Sequence, residues 1–108
     1  MARGDKLQGT LDLLVLRTVA QEPLHGYGIA MRILAFSGGV LEVEEGSLYP
    51  ALHRLEKRKL LSAEWRPTET GRRAKFYSLT KAGREQLEQE LSSWEELSAG
   101  VRRFLRAT

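Results

Sequence analysis

The stretch Leu61-Ser62-Ala63-Glu64-Trp65-Arg66, then Pro67-Thr68-Glu69-Thr70-Gly71-Arg72-Arg73, then Ala74-Lys75-Phe76-Tyr77-Ser78-Leu79 decides the fold. Its first six residues alternate apolar and polar side chains, the pattern of a half-buried strand. Its last six are rich in aromatics. The seven between combine proline, glycine and hydroxyl residues, which favour turns, with two adjacent arginines. The stretch reads as a β-hairpin with a charged tip. Trp65, Phe76 and Tyr77 are assigned to the core. Arg72, Arg73 and Lys75 have no comparable stability role, because surface charge pairs contribute little.

Three short helices are expected upstream. The first covers residues 11–20, with Thr10 as N-cap and Asp12 in the first turn, where the helix dipole favours negative charge. It is apolar nearly all round through Leu11, Leu13, Leu14, Val15, Leu16 and Val19, so it is buried on most sides, and Pro23 closes it. The second begins at residues 25–27 and ends at about Phe36, before Gly38-Gly39. Ile29, Met31, Ile33 and Leu34 supply its apolar contacts. Residues 40–43 suit a short extended piece. The third lies within residues 45–58, where Leu48, Leu52 and Leu55 form one stripe. Pro50 fits only near its start, so either Ser47 caps the helix or it starts earlier with a distorted first turn.

Downstream, Thr80 is the N-cap of a long helix reaching about Arg106. Leu87, Leu91, Trp94, Ser98, Val101 and Leu105 recur along it at alternating spacings of four and three, and Leu97 and Phe104 widen the stripe. Some 25 residues span roughly 38 Å, longer than a domain of this size can cover. The distal stripe therefore calls for a second copy of the chain.

The 108 residues contain no cysteine, two histidines and two aspartates, an inventory poor for metal binding or acid–base chemistry. Ser47 and His53 lie on different faces of one helix, so no nucleophile–base pair forms and an enzyme is not expected. The N-terminal Met1-Ala2-Arg3-Gly4-Asp5-Lys6 lacks a signal-peptide pattern, and no apolar run is long enough to span a membrane, so the expected location is cytoplasmic. Residues 54–75 hold eight basic residues against three glutamates, whereas residues 84–96 hold five glutamates against Arg84. Charge alone fits ordinary solvated faces equally well.

The order of elements narrows the choice. Three helices, a basic hairpin and a long helix make a mainly α protein with a small β-hairpin: a winged helix-turn-helix domain over residues 1–79 and a dimerisation helix over residues 80–108. In that arrangement the third helix enters the major groove of DNA and the wing neutralises flanking phosphates. Ser47, Tyr49 and Pro50 then meet the DNA near the helix start. Arg54 reaches a base edge or a phosphate, and Lys57 a phosphate. Tyr49 also suits core packing, and His53 suits a solvated position as well as a DNA contact. A winged helix that binds protein and has lost DNA binding is the alternative, and the basic wing argues against it.

Four motifs now carry a family resemblance. Gly9-Thr10-Leu11-Asp12-Leu13-Leu14, Leu24-His25-Gly26-Tyr27-Gly28-Ile29, Gly46-Ser47-Leu48-Tyr49-Pro50-Ala51-Leu52 and the run from Gly71 to Gly83 occur in an order that resembles the PadR family of bacterial transcriptional regulators. The single C-terminal helix is similar to that of its small subfamily. The resemblance implies a homodimeric repressor on a palindromic operator, with His25 and Tyr27 against the DNA backbone. It further implies that the last helix pairs with the partner's first and last helices, which brings in Leu11, Leu14, Leu87, Leu91, Trp94, Leu97, Val101, Phe104 and Leu105. In multidrug-sensing members a tryptophan on the last helix stacks on a small aromatic effector. Trp94, fourteen residues after Thr80, stands at a similar position. A flat aromatic side chain serves interface packing equally well. No cofactor is implied.

Overall fold

The computed structural model describes residues 2–108, with side chains described from residue 10 onward. The elements are α1 (Ala2–Gln21), β1 (Leu24–His25), α2 (Gly26–Phe36), α3 (Glu45–Lys57), β2 (Leu61–Pro67), β3 (Arg73–Leu79) and α4 (Lys81–Ala107). The expected helices and hairpin are all present. α1 differs in starting at Ala2, so Thr10 lies inside the helix rather than at its cap, and Asp12 sits mid-helix.

Val15, Leu16 and Val19 of α1 meet Ile29 and Ile33 of α2 and Leu48, Leu52 and Leu55 of α3 in one buried cluster. Thr18 is buried among them, and its hydroxyl donates to the Leu14 carbonyl at 2.7 Å, which satisfies the one polar group it brings inside. Met31, expected to pack, is nearly half exposed. Residues 40–44 adopt no regular structure, so the extended piece expected there forms no strand.

His25 caps α2: its Nδ1 accepts from the Gly28 amide at 3.0 Å. α3 has its N-cap at Glu44, whose carbonyl accepts from Ser47 and Leu48, so Ser47 is within the helix and caps nothing. Pro50 therefore stands in the second turn. The bond it cannot make falls on the carbonyl of exposed Gly46, where water can replace it. α3 ends in a left-handed turn at Lys59 (φ 65°), with Lys59 and Leu60 amides bonding back to the Glu56 and Leu55 carbonyls.

The sheet has the order β1-β3-β2, antiparallel throughout. β1 pairs Leu24 with Tyr77 and His25 with Phe76. In the hairpin, Leu61 pairs with Leu79, Ala63 with Tyr77 and Trp65 with Lys75, so one face carries all six residues. Leu61 and Tyr77 on that face are buried.

Thr80 caps α4 as expected, its Oγ1 accepting from the Gly83 amide at 2.9 Å. Leu87 is buried in the core, and Leu91, Leu11 and Leu14 pack against it. Leu87 is thus a core residue rather than part of an exposed interface. Beyond Leu91 the stripe emerges: Trp94, Leu97, Val101, Phe104 and Leu105 are exposed. At about 1.5 Å per residue the helix is roughly 40 Å long. It projects from the globule and gives the molecule extents of 55 × 29 × 25 Å.

Candidate nucleic-acid interface

The start of α2, the first turns of α3 and the wing meet around one open groove of about 560 Å³. His25, Tyr27, Tyr49, Trp65, Arg72 and Arg73 line it, with Lys75 at its rim. Gly26 brings the two helices together here. An added Cβ would fall 2.7 Å from the Tyr49 hydroxyl, so only glycine lets that ring lie over the start of α2. Tyr49 thus packs on one side and remains exposed on the other. Tyr27 is more exposed still and stacks loosely on His25, which also makes a T-shaped contact with Phe76.

The candidate cations divide by what holds them. Arg72 is exposed at the wing tip, and among the described residues no carboxylate pairs with it. The Arg73 guanidinium donates to the Trp65 carbonyl at 3.2 Å, which holds it along the hairpin. Lys75 pairs with Glu56 of α3 at 2.9 Å, a hydrogen bond that pushes its ammonium above the usual range and braces the wing against the helix. Lys57 is exposed at the end of α3. Pro50 is exposed close to Tyr49, whereas Ser47 opens onto a separate groove beside Leu11, Leu14 and residues 40–44.

Arg54 is not directed to this surface. It bonds Asp12 of α1 at 2.7 Å, and Asp12 is buried. The sequence reading sent Arg54 to a base or phosphate; the structure ties it to α1, because a carboxylate taken out of water needs a partner. Burial outweighs the pairing and raises the Asp12 carboxyl above its ordinary value. The folded state therefore takes up a proton more readily than the unfolded chain. The ionised Asp12 opposes folding at neutral pH, and that opposition is relieved as pH falls through the folded-state value toward 3.8. Arg54→Ala should cost about 2–3 kcal/mol at pH 7, below the roughly 3–5 of a fully buried pair because Arg54 is partly exposed. Urea denaturation should show that loss shrinking toward pH 4, and Asp12→Asn added to the same chain should recover most of it.

Sequence reasoning missed Trp65. Assigned to the core, it is 59% exposed and lines the groove. Its alternation with Leu61 and Ala63 correctly placed it on the core face of the hairpin. No local pattern tells that an open groove rather than the core lies beside it.

A three-helix core with an antiparallel sheet whose basic hairpin stands beside the third helix is the winged helix-turn-helix fold. Residues 15–89 match the transcriptional regulator PadR-like family. A Mycobacterium tuberculosis protein named as a transcriptional regulator is 36% identical over 82% of this chain and 79% of its own. Among solved structures, a PadR-like transcriptional regulator from Bacillus cereus is 33% identical with a TM-score of 0.78, covering 94% of this chain and 96% of that one. A PadR family regulator from Eggerthella lenta is 32% identical with a TM-score of 0.78, covering 99% and 92%. The chain belongs to the PadR-like family of transcriptional regulators. No helix among the described residues is long and apolar enough to cross a membrane.

Proposed function

We propose that the protein is a homodimeric, operator-binding repressor whose DNA face is the groove between α2, α3 and the wing. The observation that carries this reading is Arg72, which no carboxylate among the described residues pairs with, and the braced Arg73 beside the exposed start of α3, on one side of the molecule. Cations so placed neutralise backbone phosphates while Tyr49 and Pro50 approach base edges in the major groove. His25, Tyr27 and Lys75 border the same groove and Lys57 is exposed at the end of α3; in this reading all four serve the backbone.

Two further surfaces support a dimer. One is the exposed apolar face of α4 from Trp94 to Leu105. The other is an apolar groove of about 300 Å³ between α1 and α2, lined by Leu14, Thr18, Ile33, Phe36 and Leu41. A twofold dimer needs such self-complementary patches, and its two α3 helices then address the half-sites of a palindrome. Trp94 offers a flat, half-exposed ring within the α4 face, suited to stack on a planar aromatic effector that releases the DNA.

Footprinting on the DNA upstream of the protein's own gene, with and without a panel of planar aromatic compounds, tests this reading. A symmetric protected site lost with one compound supports all of it. Protection that no compound disturbs keeps the repressor and removes the effector. Absence of protection at low salt counts against DNA binding at that locus. Arg72→Ala should weaken binding to every duplex alike and lower the slope of log Kd against log salt by about two, one for each wing of the dimer, read by fluorescence anisotropy. An unchanged slope would remove Arg72 from the interface.

A further inference from the structure

The two faces of the hairpin treat their aromatic residues differently. On the outer face Phe76 is covered: the Arg66 guanidinium lies 5.0 Å over its ring, and the His25 ring stands nearly perpendicular to it, with centroids 5.1 Å apart. On the inner face burial declines outward along β2, from Leu61 at 2% exposed, through half-buried Ala63, to Trp65 at 59%. Among the described residues no ring or cation covers the Trp65 indole. A tryptophan so exposed adds little to folding and leaves a large apolar surface in water.

Its neighbours indicate what covers it. Lys75 stands directly across the ladder, Arg73 is held by the Trp65 carbonyl, and Tyr27 and Tyr49 face the same groove. Flat rings interleaved with cations match the chemistry of a sugar-phosphate strand, which presents anionic oxygens alternating with apolar deoxyribose faces. We propose that Trp65 is a DNA-binding residue whose indole packs against deoxyribose of the strand that the wing follows. This rests on the DNA-binding reading above and adds to it an apolar contact that recognises no particular base. Because the contact neutralises no phosphate, it releases no counterion.

The test uses the full chain with two labelled duplexes, one covering the region upstream of its own gene and one of mixed sequence at low salt. Trp65→Ala should weaken binding to both by about tenfold, with the salt slope and Tm unchanged. Trp65→Phe, which keeps a flat ring, should retain most of the affinity. Iodide quenching of tryptophan emission should fall on adding DNA to the wild type, and fall less in Trp65→Phe. Unchanged affinity of Trp65→Ala, while Arg72→Ala weakens binding to both duplexes, overturns the proposal and leaves DNA binding intact. A loss of affinity that comes with a lowered Tm and an altered slope overturns it too, by making Trp65 a support of the wing fold. Failure of the wild type to bind either duplex at low salt overturns the DNA-binding reading and this one together.

Discussion

Gly83→Ala should lower the stability of the fold by about 2–4 kcal/mol. The new methyl group would stand 2.1 Å from the Leu60 carbonyl oxygen and 2.7 Å from a Leu79 methyl. The leucine side chain could turn aside, but the carbonyl cannot. Leu60 is fixed by the hydrogen bond that its N–H donates to the Leu55 carbonyl at the end of α3, and its own oxygen accepts from the Thr80 amide at 3.2 Å. The Thr80 hydroxyl lies 2.8 Å from the Lys59 carbonyl oxygen and 3.0 Å from that of Leu60, within reach of donating to either, and it accepts from the Gly83 amide. The first turn of α4 is thereby clasped to the turn between α3 and β2. Admitting a methyl group means opening that clasp, which shifts Leu87 in the core and the base of the wing together. Overpacking alone costs about 1–3 kcal/mol, and the lost cap about 1 more, against a total of roughly 5–15 for a domain of this size. Circular dichroism during urea denaturation should show a midpoint far below that of the wild type. A variant with an unchanged midpoint would mean that α4 can rise off Leu60 without cost, and the clasp would then have no structural role.

The clasp also shows which parts of the fold were legible beforehand. Thr80 announced a helix start because an N-cap is a local event, set by one side chain and an amide three residues on. The hairpin ends, α2 and the buried stripe of α3 were legible for the same reason, as periodicity and turn chemistry act over a few residues. Thr10 carried an equally good cap signal, yet α1 runs through it from Ala2. A cap residue permits a helix start without compelling one. β1 went unseen because two residues hold no periodicity; Leu24 and His25 are extended only because Tyr77 and Phe76 lie opposite them. The site was legible in its residue types and less so in their pairing. Arg54 and Asp12 are 42 positions apart, and Lys75 and Glu56 stand on different elements, so only the packing of α1, α3 and the wing determines which cations are engaged. Leu87 and Val101 belong to one stripe by spacing. One is buried and the other exposed because the globule ends between them.

That end of the globule sets the second large effect. In the homodimer proposed above, Val101→Asp should break the pairing of the two copies while leaving each one folded. Val101 is 48% exposed and lies outside the protomer's hydrophobic core, so a carboxylate there remains hydrated in the single chain. In a twofold dimer the same change occurs twice. Each carboxylate would have to leave water among Leu97, Phe104 and Leu105, apolar groups that provide no hydrogen bond. Such desolvation should raise the dimer dissociation constant by more than about a hundredfold. DNA affinity should fall further, by about a thousandfold, because a lone protomer engages one half-site and neutralises half the phosphates. Sedimentation velocity would read the first effect and anisotropy on the operator fragment the second, with an unchanged circular dichroism spectrum as the check on folding. A Val101→Asp chain that sediments as a dimer would remove the α4 face from the interface. The groove between α1 and α2 would then be the remaining apolar surface on which two copies could meet, and Trp94, no longer enclosed by a partner, would lose its standing as an effector platform.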